Sequence, residues 1–352
     1  MSIFSLSRYA VSVTGAVALL SGCTSGQPAS SALTPTVSQS AHRQPPPCAW
    51  GALKVWASQL NPNRPQVEGY RANGAAIPCT RNNGIGSGTK FAAPFGLASD
   101  PAGNLYVADV TNSRVVVFNN LGVYVATSNT ALQPRGVCVS PTGVLGVAER
   151  GIGGSGAGVV EFFTNPLVNN LAATGYATAG SAAVADTYQW CAFDRAGNFF
   201  ATGTTAPTAV QQIVYLPAAN VNLAAQSLSA SAITTAPYWV SMYVQLKGSN
   251  TNGEVLAVAN LTPQIQFFKI NSVTGVPGPL ASSTLALTGY PAGSDNMDQD
   301  APNMYSTKAT IYFADYGGSE VLKTREYSGA ITVFNGAVPE AVGIATNPTG
   351  QE

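Results

Sequence analysis

Residues 94–118 set the pattern for most of the chain. Phe95-Gly96-Leu97-Ala98 is a short apolar run, and Asp100-Pro101-Ala102-Gly103 is polar and turn-forming. Leu105-Tyr106-Val107-Ala108-Asp109 is a second apolar run. A polar loop through Asn112 and Ser113 leads to a third, Arg114-Val115-Val116-Val117-Phe118. Apolar runs of this length, bounded by turn residues, predict strands rather than helices. Asp-Pro-Ala-Gly suits a type I turn, with Pro after Asp and Gly where positive φ is tolerated. The same order of strand, turn and strand returns along the chain. Pro134-Arg135-Gly136-Val137-Cys138-Val139 leads to Val147-Ala148-Glu149, and Trp190-Cys191-Ala192-Phe193-Asp194 leads to Phe200-Ala201-Thr202. Pro237-Tyr238-Trp239 leads to Val255–Asn260, Pro291-Ala292-Gly293 to Ile311–Asp315, and Gly343-Ile344-Ala345-Thr346 to the end of the chain.

The positions equivalent to Gly96 fall at 96, 136, 190, 239, 293 and 343, with steps of 40, 54, 49, 54 and 50 residues. A period near fifty with about four strands per unit predicts an all-β chain, a β-propeller of four-stranded antiparallel blades. Six starts predict six blades, and the sixth is cut off after its first strand. The missing strands are found at the other end of the chain. Ala52–Ser58 matches the second-strand pattern, and Gln66–Arg71 and Ala75–Pro78 serve as third and fourth. N-terminal strands would then complete the C-terminal blade and close the ring, removing unpaired strand edges. Deletion of residues 48–80 is expected to prevent folding.

Residues 94–118 closely resemble the NHL repeat, whose pattern is Pro-x-Gly, an apolar strand, Gly-Asn, Tyr-Val-Ala-Asp and Asn-x-Arg-Val. The likeness continues through 134–149, 188–202 and 339–350 and fades over 237–290. The resemblance implies a propeller fold. A propeller by itself does not imply an activity.

The first 47 residues follow a different rule. Arg8 precedes an apolar run from Ala10 to Leu20, which ends in Leu20-Ser21-Gly22-Cys23. The run is too short for a permanent membrane span and reads as a secretory signal. Its ending resembles the lipobox of bacterial lipoproteins, which implies that Cys23 becomes the acylated N-terminus. Several acyl chains, at ~0.8 kcal/mol per buried methylene, would hold the protein on a membrane. Residues 23–47, rich in Ser, Thr, Gln and Pro, read as a disordered tether. The expected organisation is therefore a signal peptide at 1–22, an acylated tether at 23–47 and a propeller at 48–352. It implies a lipid-anchored protein of the cell envelope, on the outer membrane or cell surface.

Composition removes several functions. Lys and Arg number 16 against 16 Asp and Glu, and charged residues make up 9% of the chain. That leaves little with which to neutralise a phosphate backbone, so nucleic acid is not an expected partner. The single histidine, His42, lies in the tether, which excludes a Ser-His-Asp triad in the folded part. Gly151–Gly158 lacks the Lys and the following helix of a phosphate loop and reads as a flexible loop over the channel mouth. Four cysteines besides Cys23 allow two disulfides in an exported chain. Cys48 and Cys79 flank the closing strands and are the expected bridge. Cys138 and Cys191 lie one register step apart on neighbouring first strands. Successive strand positions point to opposite faces, so buried free thiols are expected for them.

Two sets of residues are expected at the channel mouth. Trp190 and Trp239 replace the Pro-x-Gly glycine, with Tyr188 and Tyr238 beside them. Their rings suit stacking on a sugar or another flat surface, and packing between blades is the alternative. The second set ends the second strands: Asp109, Glu149, Thr202, Asn260, Asp315 and Ser58. Glu149, Asp315 and Asn260 are candidate oxygen ligands for a divalent cation such as calcium. Resemblance to six-bladed gluconolactonase-type propellers implies such an ion. The alternative is that each carboxylate braces its own loop, most of all Asp109, with Asn112 and Arg114 close by. The leading expectation is a tethered binding or scaffold module without a cofactor, for a glycan, peptide or protein partner. The other is a metal-dependent hydrolase or lactonase.

Overall fold

The structure is a computed structural model. It describes residues 55–346 except 62–65, 78–84, 86–90, 121, 152–156, 169–172, 180–185, 206–209, 222, 224–225, 233–241, 247–253, 261–263, 272–273, 275, 279–282, 289–293, 300–309 and 326–329. The signal, the tether, Cys23, Cys48, Cys79, Tyr238, Trp239 and the tip of the Gly151–Gly158 loop lie outside the described residues.

Every strand is short. The chain begins with β1 (Val55–Gln59) and β2 (Gln66–Tyr70), then β3 (Pro94–Ser99), β4 (Leu105–Asp109), β5 (Arg114–Phe118) and β6 (Tyr124–Asn129). Next come β7 (Gln133–Val139), β8 (Leu145–Arg150), β9 (Val160–Phe163) and β10 (Gly175–Ala179), then β11 (Asp186–Phe193), β12 (Phe199–Thr205), β13 (Val210–Leu216) and β14 (Gln226–Ala232). They are followed by β15 (Met242–Leu246), β16 (Glu254–Asn260), β17 (Gln264–Lys269) and β18 (Ser283–Ala286). The last are β19 (Ser294–Gln299), β20 (Thr310–Asp315), β21 (Glu320–Arg325), β22 (Thr332–Asn335) and β23 (Ala341–Thr346).

Strands β3–β6, β15–β18 and β19–β22 form antiparallel four-stranded meanders. The expected separation into four-stranded sheets is not kept everywhere. The outermost strands β10 and β14 pair in parallel, at Ala177↔Gln226 through Ala179↔Leu228, and join two meanders into one eight-stranded sheet. Two free outer edges thereby satisfy each other. The sheet built from both chain ends has the order β2-β1-β23, with Trp56 opposite Ala345 and Ala57 opposite Ile344. Among the described residues, the fourth strand expected at 75–78 shows one bridge, Tyr70↔Ala76. A tight turn precedes it: Gly74 takes φ +81° and its N–H donates to the Arg71 carbonyl.

The Asp-Pro-Ala-Gly turn forms as expected. Gly103 takes φ +82° and donates to the Asp100 carbonyl, while Asp100 Oδ1 accepts from the amides of Ala102 and Asn104 at 3.0 and 2.9 Å. Tyr106 donates its hydroxyl to Asp100 Oδ2 at 3.0 Å. Burial, with the neighbouring carboxylate second, pushes the Tyr106 hydroxyl well above the usual phenol range.

First strands pack on one another in the order β3, β7, β11, β15, β19, β23 and back to β3. Both faces of most sheets are therefore covered. Tyr106, Val115 and Val117 of one sheet meet Val137, Val147 and Phe163 of the next, and Val55, Tyr70 and Ile344 meet Tyr312 and Phe334. This explains why β1, β4 and β23 are buried at every position. The glycine of Pro-x-Gly follows from the same packing. A Cβ on Gly343 would meet the Phe95 carbonyl, one on Gly96 the Arg135 carbonyl, and one on Gly136 the Gln189 carbonyl and the Trp190 backbone.

That contact also corrects the cysteine expectation. Cys138 and Cys191 are joined by a disulfide, with Cα atoms 5.7 Å apart. Side chains one register step apart do point to opposite faces of their own meanders. Between meanders stacked face to face, however, opposite faces are the ones that meet. Gly136 and Cys138 share the face of β7 that lies on β11.

Candidate functional site

The second-strand carboxylates Asp109 and Asp315 end β4 and β20, Glu149 is the penultimate residue of β8, and each is held differently. Asp109 is fully buried and saturated. Its Oδ1 accepts from the amides of Ala92 and Ala93, both at 3.0 Å. Its Oδ2 accepts from Asn112 Nδ2 at 2.6 Å and from Arg114 Nε and Nη2 at 3.0 and 2.9 Å. Asp109 thus braces its loop with the partners its sequence neighbourhood supplies.

Glu149 is fully buried as well, and its Oε2 accepts from the Leu132 amide at 2.6 Å. Its Oε1 is buried without a hydrogen-bond partner of good geometry. Glu161, on the same face of the neighbouring strand, accepts from the Ala131 amide at 3.0 Å. Burial raises the Glu149 pKa well above the ordinary carboxylate value. Hydrogen bonding with Glu161 and its charge raise it further, and the Leu132 amide acts in the opposite direction. Glu161 was not singled out in the sequence, although a charged residue inside the apolar run Val160-Glu161-Phe162-Phe163 is the signal that marks it.

Asp315 is 2% exposed. Its Oδ1 accepts from the Gly318 amide at 3.0 Å, and its Oδ2 is buried without a partner. Glu320 stands directly opposite in the ladder. Burial, then the charge of Asp315, raises the Glu320 pKa. Asn260 ends β16 opposite Gln264, on a third sheet. Ser58 donates to the Phe95 carbonyl at 2.5 Å. Among the described residues no group of three Asp, Glu, His or Cys comes together to hold a metal ion. The carboxylates instead engage turns and strands of their own sheets.

Of the aromatic set, Trp190 is 4% exposed and Tyr188 is fully buried. The Trp190 ring stacks on Phe95 at 5.4 Å and 20°, and the Arg135 guanidinium lies 4.3 Å from the centre of the Phe95 ring. Trp190 and Phe95 share a core with Val110, Leu256, Phe268 and Val342, drawn from four sheets. Packing thus takes up the Trp190 ring, and its Nε1–H is buried without an acceptor. Phe95 and Arg135 are the variable residues of their Pro-x-Gly triplets, a position that single-strand pattern reading leaves unassigned.

The family model of the NHL repeat matches residues 91–118. The fold is an NHL-like β-propeller. A protein of unknown function from Bacteroides caccae superposes with a TM-score of 0.55 at 9% identity, over 84% of this chain and 99% of that one. Regucalcin from Agrobacterium tumefaciens, a calcium-binding protein, gives 0.50 at 11% identity, over 74% and 80%. A catalytically inactive virginiamycin B lyase from Staphylococcus aureus gives 0.50 at 11% identity, over 84% and 89%. No curated protein matches the sequence. At these identities the likeness is one of fold.

Proposed function

We propose that this NHL-like propeller is a membrane-tethered extracytoplasmic binding or scaffold module for a glycan, peptide or protein partner. It has six blades, with its ring closed by the N-terminal strands, and it is anchored through Cys23. The observation that supports the binding reading is the buried stack of Trp190 on Phe95, with Arg135 beside it, which belongs to a packed core shared by several sheets and not to an open reaction site. Ring closure takes its support from the pairing of β1 with β23 and from the packing of β23 on β3. Export takes its support from the Cys138–Cys191 disulfide, a bond that persists in oxidising compartments.

A second reading, a divalent-cation hydrolase or lactonase, takes its support from two buried oxygens that lack a hydrogen bond of good geometry, Glu149 Oε1 and Asp315 Oδ2. Thermal unfolding of the full chain after chelation, then with calcium, magnesium, manganese or zinc, separates the two. The binding reading expects no shift. A cation at a hundred times its dissociation constant adds ~2.7 kcal/mol, and a shift of that kind lost in Glu149→Gln or Asp315→Asn establishes the metal reading. The tether is tested by fractionation, where Cys23→Ala is expected to move the protein from membrane to soluble fractions.

A further inference from the structure

Where the sheet β2-β1-β23 faces β19–β22, a polar cleft of about 530 Å³ opens beside the link from β22 to β23, lined by Gln59, Gln66, Glu68, Tyr70, Ala75 and Asn335 among others. Strand alternation puts Gln59 on one strand and Gln66, Glu68 and Tyr70 on the next on a common face, since Gln59 pairs with Gln66 and Ala57 with Glu68. The four side chains form a network. Gln59 Nε2 donates to Glu68 Oε2 at 2.9 Å and to the Tyr70 hydroxyl oxygen at 3.4 Å. Tyr70 donates its own proton to Glu68 Oε2 at 2.6 Å, and Gln66 Nε2 donates to Gln59 Oε1 at 3.1 Å. Asn335 is held apart from this network, donating to the Gly74 carbonyl at 2.8 Å and accepting from the Ala337 amide at 2.8 Å.

Two features of the network are left unmet within it. Glu68 is 7% exposed and has no ion pair among the described residues, so a nearly buried carboxylate is met only by neutral donors. Gln66, 8% exposed, has a buried Oε1 that accepts nothing. Gln59 and Tyr70 already spend donors inside the network, so the cleft is rich in acceptors and carries one negative charge. A buried acceptor and a buried carboxylate are each costly until a donor and a cation meet them. A primary ammonium supplies both, with three N–H donors and a unit charge. A cleft of this size takes more than an amino group, and its amide and phenol walls suit hydroxyls.

We infer that this cleft binds a compact polyhydroxylated ligand through a primary ammonium, an amino sugar being the simplest example, with Glu68 as the charge partner and Gln66 Oε1 as an acceptor. The inference rests on the binding reading and gives it a site and a ligand class.

The test is calorimetric titration of the full chain with glucosamine, with glucose and N-acetylglucosamine as uncharged controls. Glucosamine is expected to bind at least tenfold more tightly than either control, and Glu68→Gln to remove that preference. Ala75→Trp is the second variant. It fills the mouth of the cleft from an exposed position without touching the network, and is expected to weaken glucosamine at least tenfold at an unchanged melting temperature. Absence of saturable glucosamine binding, equal affinity for N-acetylglucosamine, or wild-type binding in Ala75→Trp overturns the inference. These outcomes leave the wider binding reading standing, because that reading fails on the cation-dependent shift described above.

Discussion

The turn after β4 and the turn after β20 have the same backbone and opposite chemistry. In each, an Asp ends the strand and four residues intervene. A Ser in the left-handed region comes last, Ser113 at φ 47° and Ser319 at φ 54°, and the next strand begins opposite the Asp. Each Ser carbonyl accepts an amide from the segment leading to the next first strand, Thr130 in one case and Val338 in the other. In the first turn Asn112 and Arg114 point donors at Asp109. In the second the corresponding residues are Gly318 and Glu320, so Asp315 keeps one backbone amide, an unpartnered oxygen and a like charge across the ladder. The backbone hydrogen bonds of the turn are therefore enough to form it, and the charged side chains decide only how firmly it is held.

The largest test of this contrast is a matched pair. Asp109→Ala removes the acceptor shared by two backbone amides, Asn112 and Arg114 and is expected to cost about 3–5 kcal/mol, whereas Asp315→Ala costs about 1 kcal/mol or less, read by denaturant unfolding. Equal losses would mean that the Asp serves the backbone alone. A control away from both turns is the double variant Cys138→Ala, Cys191→Ala. It opens a loop of 53 residues and is expected to cost about 4 kcal/mol in the chain-entropy picture, independently of either Asp substitution.

A third carboxylate extends the comparison to pH. Glu149 has its folded pKa raised, so its contribution favours folding below the ordinary value of 4.5 and is lost as pH rises through the raised value. Glu149→Gln is expected to flatten that dependence and to stabilise the protein by about 1–2 kcal/mol at neutral pH, and unchanged pH dependence of the melting temperature refutes it. The smallest expected effect is a gain. Glu320→Arg places a guanidinium opposite Asp315, as Arg114 stands opposite Asp109, and should add about 1 kcal/mol. A loss would show that the second turn holds its like-charged pair for another purpose.

Repeat spacing and turn chemistry made the strands, the Asp100 turn, the bracing of Asp109 and the pairing of both chain ends legible along the chain, because each depends on neighbours within one blade or on the period itself. The burial of Trp190, the Glu149–Glu161 pair, the merged outer edges and the polar cleft were not legible. Each depends on strand pairing or on faces that only the tertiary structure brings together. The cysteines show the boundary most plainly. Position along a strand correctly assigned Cys138 and Cys191 to opposite faces. The stacking of one meander on the next turned that same fact into a bond, because alternation determines the face a residue shows and only the tertiary structure determines what stands before it.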